Sequence, residues 1–183
     1  FSIFLQLNFF RRPYIMKSQT KEEAILVRLM LKQRLFSWFD SYDICDENGE
    51  SVFTVQGKLS WGHRLEISDA NGRYLGRVQE EVFSFLPRFR LYLGEEETPA
   101  GEIRKELTFF RPRYTLDCRD WTVEGNWLEW DYTVSDSSRT IMEVHKEVFR
   151  LTDTYVLDIL DDTQALLCVM IVLAIDAANC DNN

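Results

Sequence analysis

The sequence is poor in the residue types from which most enzymes build their sites. Only two histidines occur in 183 residues, His63 and His145. Each falls in a predicted strand with no second ligand-type residue at metal spacing, which suits a surface or packing role. There is no His-Glu-x-x-His, no Gly-x-Ser-x-Gly, no P-loop and no Gly-x-Gly-x-x-Gly. The four cysteines, Cys45, Cys118, Cys168 and Cys180, include no Cys-x-x-Cys pair. Free thiols in a reducing, cytoplasmic compartment are therefore expected rather than a disulfide framework or a zinc site. No catalytic residue, cofactor site or metal site is assigned on this basis, and a non-enzymatic protein is expected. Positive charge is also in deficit, with 21 Lys+Arg against 30 Asp+Glu and a net charge of −9. That excludes a nucleic-acid groove as the main function and opposes broad adsorption to anionic membranes, leaving room only for a local basic patch. Long apolar runs are missing too, with one exception near the C-terminus, Ala165 to Ile175.

What is abundant is aromatic and strand-like. Aromatics make up 14% of the chain, Phe alone contributing 13 residues, which favours pleated, half-buried surfaces. Four segments share one layout, an aromatic or hydroxyl residue followed six positions later by Tyr or Phe and then an alternating run. They are Phe36 to Ile44, Phe83 to Leu91, Thr108 to Leu116 and Phe149 to Leu157. Alternation also marks Ile25, Val27, Leu29 and Leu31, then Leu65 and Ile67, then Leu128, Trp130, Tyr132 and Val134. Turn signals punctuate these runs at Asp46-Glu-Asn-Gly49, Asp69-Ala-Asn-Gly72, Gly94 to Pro99, Glu124-Gly-Asn126 and Ser135 to Ser138. Asn-Gly suits the positive φ of tight hairpins.

Counting runs between turns predicts a mainly β protein of about twelve antiparallel strands. A sheet that long curls and closes, which removes its exposed edges. The closed sheet then needs an apolar filling. The run from Ala165 is apolar on every side, which fits a helix buried on all sides or lying in lipid. Eleven residues span only ~16 Å of helix, short of the ~30 Å hydrocarbon core of a bilayer. A central helix over about 162–179 is therefore expected, capped by Asp161 and Asp162, with Leu166, Leu167, Val169, Met170, Val172 and Leu173 as core. Residues 25–183 read as one domain. Residues 1–24 read as an N-terminal extension, with Met16 a natural polar start and 1–15 a misplaced start, a fragment edge or an appended segment.

The segment Leu31 to Ile44, Asp46-Glu-Asn-Gly49, Leu107 to Tyr114 and the end Asp161 to Asp176 together resemble the LURP-one-related family, in its bacterial YxjI-like branch. The resemblance runs from about Leu29 to Asn183. It implies a twelve-stranded barrel around a central hydrophobic helix, shared with the C-terminal domain of Tubby proteins and with phospholipid scramblases. Members of those groups bind phosphoinositides or act at membranes. A cation near Asp161-Asp162 follows only by analogy with scramblases, and no calcium-loop pattern is present. The resemblance carries no catalytic motif.

One constellation is a candidate site. Arg88 and Arg90, and Arg111 and Arg113, occupy equivalent points of two repeats, beside Phe85, Phe109 and Phe110. If the two strands are neighbours, four guanidiniums cluster, and Arg forks suit phosphate or carboxylate groups. The same arginines can instead pair with Glu95 to Glu97, Glu102 and Glu106 across the sheet. The functional expectation is a binding module for an anionic lipid headgroup or a protein partner, cytoplasmic or peripheral at a membrane. The alternative is a structural or stress-response adaptor with no small-molecule ligand, and scramblase-like activity ranks last. Oligomeric state is not set by the sequence.

Overall fold

A computed structural model describes residues 26–32, 41–58, 60–106, 113–148 and 153–180, and twelve strands and one α-helix are found among the described residues. Residues 1–25, where the N-terminal extension is expected, lie outside that range. The strands are β1 (Val27–Lys32), β2 (Ser41–Asp46), β3 (Ser51–Lys58), β4 (Arg64–Asp69), β5 (Tyr74–Glu80), β6 (Arg88–Leu93), β7 (Gly101–Glu106), β8 (Arg113–Asp117), β9 (Thr122–Asn126), β10 (Asp131–Ser135), β11 (Thr140–Val148) and β12 (Asp153–Ile159). They form one antiparallel sheet in the order β8-β7-β6-β5-β4-β3-β2-β1-β12-β11-β10-β9. Sequence neighbours pair throughout except β8 and β9, and one pairing joins strands far apart in sequence, β1 with β12, Val27 facing Ile159. The sheet curls until its two edges, β8 and β9, face one another, giving a nearly closed barrel.

Period-two patterning sets the inner face. On β3 and β4 Phe53, Val55, Leu65 and Ile67 point inward and are buried, and Phe89, Leu91 and Ile103 continue the lining. The repeated layout of the sequence is explained in part by this. Its second half places Ile44, Phe89, Leu91, Tyr114, Tyr155 and Leu157 on the inner face near the starts of β2, β6, β8 and β12.

The helix α1 (Ala165–Cys180) follows a 3-10 turn at Asp162–Gln164. Asp161 caps that turn, accepting a hydrogen bond from the Thr163 amide at 3.1 Å. Arg139 holds the capping carboxylate at 3.1 Å, and Arg119 donates to Gln164. From Leu167 to Ala178 every residue of α1 is buried, whichever way it points, so the helix runs inside the barrel as its patterning predicts. Leu167, Val169, Met170, Val172 and Leu173 are core, and Leu166 is half-buried. The helical stretch outlasts the apolar run: Asp162–Asn179, 18 residues, is long and apolar enough to cross a membrane, but 72% of it is buried within the fold. Gly76 of β5 lets the helix approach. A Cβ there would lie 2.5 Å from the Met170 methyl and 2.3 Å from the Tyr92 carbonyl, and its φ is +157°.

Three local expectations are corrected. Glu124-Gly-Asn126 is strand β9 rather than a turn; the turn is 127–130, and Trp130 takes the positive φ of 56°. Leu128 consequently lies in that turn, exposed, and not on a strand face. His63 precedes β4 instead of lying within it, whereas His145 is in β11. The two Asn-Gly hairpins form as expected, but only the glycines, Gly49 and Gly72, carry positive φ, and each is accompanied by a register shift in the adjoining ladder.

One charge-bearing group enters the core. Asp176 of α1 is buried, and its Oδ2 has no hydrogen-bond partner. Desolvation raises its pKa from 3.8 to about 7. The Tyr132 hydroxyl, also buried without a partner, senses its charge.

Replacing Val172 by Asp buries an unpaired charge and should abolish cooperative folding, while Ile171→Ala should cost about 2–5 kcal/mol by urea denaturation. The folded state holds the Asp176 proton up to about pH 7, whereas the unfolded chain loses it near 3.8. Stability from this group therefore falls as pH rises from about 4 to about 7. Melting temperatures across that window should decline more steeply for the native protein than for Asp176→Asn; parallel profiles would show that the carboxyl is not the titrating group.

Candidate functional site

Antiparallel order sends every connection from an odd strand to the following even strand to one end of the barrel, and every even-to-odd connection to the other. The first end carries the 59–63, 81–87 and 127–130 connections. Six large apolar residues are exposed among the described residues, and five of them, Trp61, Val82, Phe83, Phe85 and Leu128, sit at this end. Phe83 is 97% exposed, Phe85 91% and Trp61 86%.

A groove of about 370 Å³ opens here, lined by Phe83, Phe85, Leu86, Arg88, Arg104 and Lys105, with Glu81 and Ser84. Its wall is a well-bonded connection. The Glu81 amide donates to the Arg88 carbonyl at 2.8 Å, the Ser84 amide to the Glu81 carbonyl at 3.3 Å, and the Lys105 amide to the Pro87 carbonyl at 2.9 Å. Arg104 and Lys105 are consecutive on β7, so their side chains leave opposite faces of the strand and the groove straddles the rim.

The basic component is built by β6 and β7. Arg88 and Arg90 lie on the outer face of β6, between inward Phe89 and Leu91. Arg88 stands directly opposite Arg104, and Arg90 opposite Glu102. Glu102 accepts a hydrogen bond from Arg90 Nε at 3.3 Å, lies 3.5 Å from Arg88 Nε as an ion pair, and also pairs with Arg104. Glu81 takes Arg88 Nη1 at 3.3 Å and Arg90 Nη2 at 3.0 Å. A hydrogen bond with Tyr92, then one with Glu102, holds the Arg90 guanidinium still more firmly protonated. Three guanidiniums thus share two carboxylates, with Asp117 3.8 Å from Arg104 at the margin. Arg88 Nε is buried and makes no hydrogen bond.

The condition under which the four candidate arginines would cluster, adjacency of their two strands, is not met. β6 and β8 are not neighbours; β7 lies between them. Arg113 pairs in register with Glu106, and its side chain, like all of Arg111, lies outside the described residues, as do Phe109 and Phe110. Of the carboxylates expected across the sheet, Glu102 pairs with Arg88 and Arg90, while Glu106 accepts from Thr115. Arg104 and Glu81 escaped the sequence reading. Arg104 had a legible signal, because it alternates with Glu102 and Glu106 on one face of a strand that must flank Arg88.

Other candidates for chemistry are poorly placed. Burial pushes the Cys118 thiol up to about 11 and that of Cys168 to about 12, so neither is a thiolate at neutral pH. Cys45, Cys118 and Cys168 are free. His63 Nδ1 meets Glu80 at 2.8 Å, in the packing between the 59–63 and 81–87 connections. Among the described residues no group of three His, Cys, Asp or Glu side chains is arranged to hold a metal ion.

Comparison with known proteins places these features in a family. The LURP-one-related family model matches residues 27–176. The chain is 27% identical over 152 residues to Uncharacterized protein YxjI of Bacillus subtilis (strain 168), a match covering 82% of this chain and 93% of that one. The X-ray structure of a protein from Arabidopsis thaliana superposes with a TM-score of 0.56 at 18% identity, covering 84% of this chain and 93% of the other, a likeness of fold.

Proposed function

The chain belongs to the LURP-one-related family, and from that premise we propose that it is a non-enzymatic binding module that takes an anionic, phosphate-bearing lipid headgroup in the groove between the β5–β6 connection and β7. It works in the cytoplasm and at membrane surfaces. The observation that carries this reading is the uneven sharing at the groove wall. Arg88 and Arg104 face each other as like charges across two strands, an arrangement that costs free energy unless anions intervene. Glu81 and Glu102 are shared among three guanidiniums, and Arg88 Nε, 3.5 Å from the Glu102 carboxylate, is ion-paired without making a hydrogen bond. A phosphate oxygen supplies an acceptor for such a bond, and guanidinium forks suit its geometry. Apolar Phe83, Phe85 and Leu86 beside the cations match a ligand with a charged head on an apolar body.

The second reading, an adaptor that binds no small molecule, draws support from the ion pairs themselves. Arg88, Arg90 and Arg104 all have carboxylate partners within the sheet, and those pairs suffice for a structural role.

Vesicle flotation separates the two. The protein should float with vesicles containing phosphatidylglycerol or phosphoinositide, more at low salt than at physiological salt. The double variant Arg88→Gln/Arg104→Gln should weaken that binding about tenfold or more while changing stability by no more than ~1 kcal/mol, since the pairs are solvent-screened. A variant that loses stability while the native protein binds no vesicle composition would establish the adaptor instead.

A further inference from the structure

We propose that Trp61, Val82, Phe83 and Phe85 form a membrane-insertion crown, seating the barrel end-on with these side chains in the interfacial layer of an anionic bilayer. This rests on the headgroup reading above and deepens it, because it names the source of the anion as a lipid held in a membrane rather than a soluble phosphate ester.

The first argument is placement. Among the described residues, five of the six exposed large apolar side chains occupy one end of the barrel, and the sixth, Leu26, lies at the start of β1 at the other. Exposed apolar residues scattered singly need no explanation, whereas a concentration at one end marks a contact surface.

The second argument is rigidity. Trp61 and Val82 belong to different connections that are locked together. A Cβ on Gly62 would lie 2.8 Å from the Val82 side chain. The His63 amide donates to the Glu80 carboxylate at 2.8 Å, and the Glu80 amide to the His63 carbonyl at 2.8 Å. The connection carrying Phe83 and Phe85 is itself tied to β6 and β7 through Arg88 and Pro87. The aromatics are presented on a fixed scaffold, so little ordering entropy remains to be lost on insertion.

The third argument is polarity along the barrel axis. The opposite end is built from polar and mostly acidic connections, with Glu47 and Glu50, Glu95 to Glu97, Asp120, Asp161 and Asp162. An anionic surface repels that end and leaves the aromatic end to approach, with Arg88, Arg104 and Lys105 at the level of the headgroups. Trp and Phe beside cationic side chains are the composition that settles at a membrane interface.

The test uses the full chain and vesicles of phosphatidylcholine with graded phosphatidylglycerol, with soluble glycerol phosphate as competitor. Tryptophan emission should shift to the blue on vesicle addition, and the shift should be lost in Trp61→Phe. Phe83→Ser/Phe85→Ser should partition into vesicles at least about tenfold more weakly, from the apolar burial it forgoes, with an unchanged melting temperature. Glycerol phosphate alone should produce no blue shift. Flotation of Phe83→Ser/Phe85→Ser equal to that of the native protein, or no Trp61-dependent shift in protein that floats, overturns the insertion and leaves the headgroup reading standing. Competition by glycerol phosphate that strips the protein from vesicles completely also overturns it, because surface charge alone then accounts for binding. Failure of the native protein to float with any composition overturns both.

Discussion

The constraint on which the fold depends is that α1 presents apolar side chains in every direction. An amphipathic helix can lie on a sheet and leave its polar face to water. This one cannot, because Cys168, Val169, Met170 and Ile171 cover a full turn and all are buried. In this chain the inside of the curled sheet supplies a solvent-free environment of that shape. The strands respond with strict alternation, which gives the sheet an apolar concave face and a polar convex one. Length is matched as well. Sixteen residues of α1 span ~24 Å, somewhat more than a strand of six residues covers. The helix therefore reaches from the acidic end of the barrel to the aromatic one. Its first turn is held at the polar rim by Asp161, Arg139 and Arg119, and its last turn meets Tyr114 and Trp127 under the other.

Strict up-and-down connectivity separates the chemistry of the two ends. At the acidic end the turns are built from aspartates that bond their own backbone. Asp46 accepts from the Asn48 and Glu50 amides, Asp69 from the Asn71 and Arg73 amides, and Asp136 from the Ser138 and Arg139 amides. These bonds hold the three carboxyls below the usual aspartate range, the Glu50 and Arg73 amides dominating for Asp46 and Asp69 and the Ser138 hydroxyl for Asp136. The same residues are then anchored as anions at neutral pH. The aromatic end has no such device at the 59–63 and 81–87 connections, which lean on each other through Glu80 and His63 instead. A turn closed by its own aspartate is free of outside demands. The two connections at the aromatic end are instead pinned to each other, with Trp61, Phe83 and Phe85 facing water.

Much of the architecture was legible because periodicity of two, Asn-Gly turns and one all-apolar run are local signals. Strand count and the enclosed helix follow from them. What was not legible lies in non-local geometry. The repeat layout sets Phe83 six positions before Phe89 and the alternating run but does not say which way Phe83 faces; Phe89 is buried and Phe83 almost wholly exposed. Residue type is the same at both positions; Phe89 lies on the inner face of β6, whereas Phe83 lies in the connection before it. Likewise Arg88 and Arg113 look equivalent along the chain, but the intervening Gly101–Glu106 run is itself a strand, so the two are separated by its full width. Gly125 read as a turn signal because glycine in a strand is uncommon. Its role is close approach: a Cβ there would lie 2.4 Å from the Asp131 carbonyl.

The same geometry explains why α1 does more than fill space. β8 and β9 are consecutive in sequence and joined by only Cys118 to Trp121, but they do not pair in the sheet. The seam is closed by side chains. Tyr114 of β8 packs on Trp127 at 5.2 Å between ring centroids, and Trp127 stacks on Tyr132 of β10 at 5.8 Å. Tyr114 also donates to the Asn179 side chain at 2.7 Å, and Asn179 in turn donates to the Trp127 carbonyl at 3.5 Å. The last turn of the helix therefore bridges both lips of the seam, while Arg119 and Gln164 tie the helix start to the connection at its other end. A fully hydrogen-bonded barrel would stay closed without its helix. This one leaves the seam between its two edges, β8 and β9, to be clasped by the element it encloses, which couples the enclosed helix to the closure of the sheet.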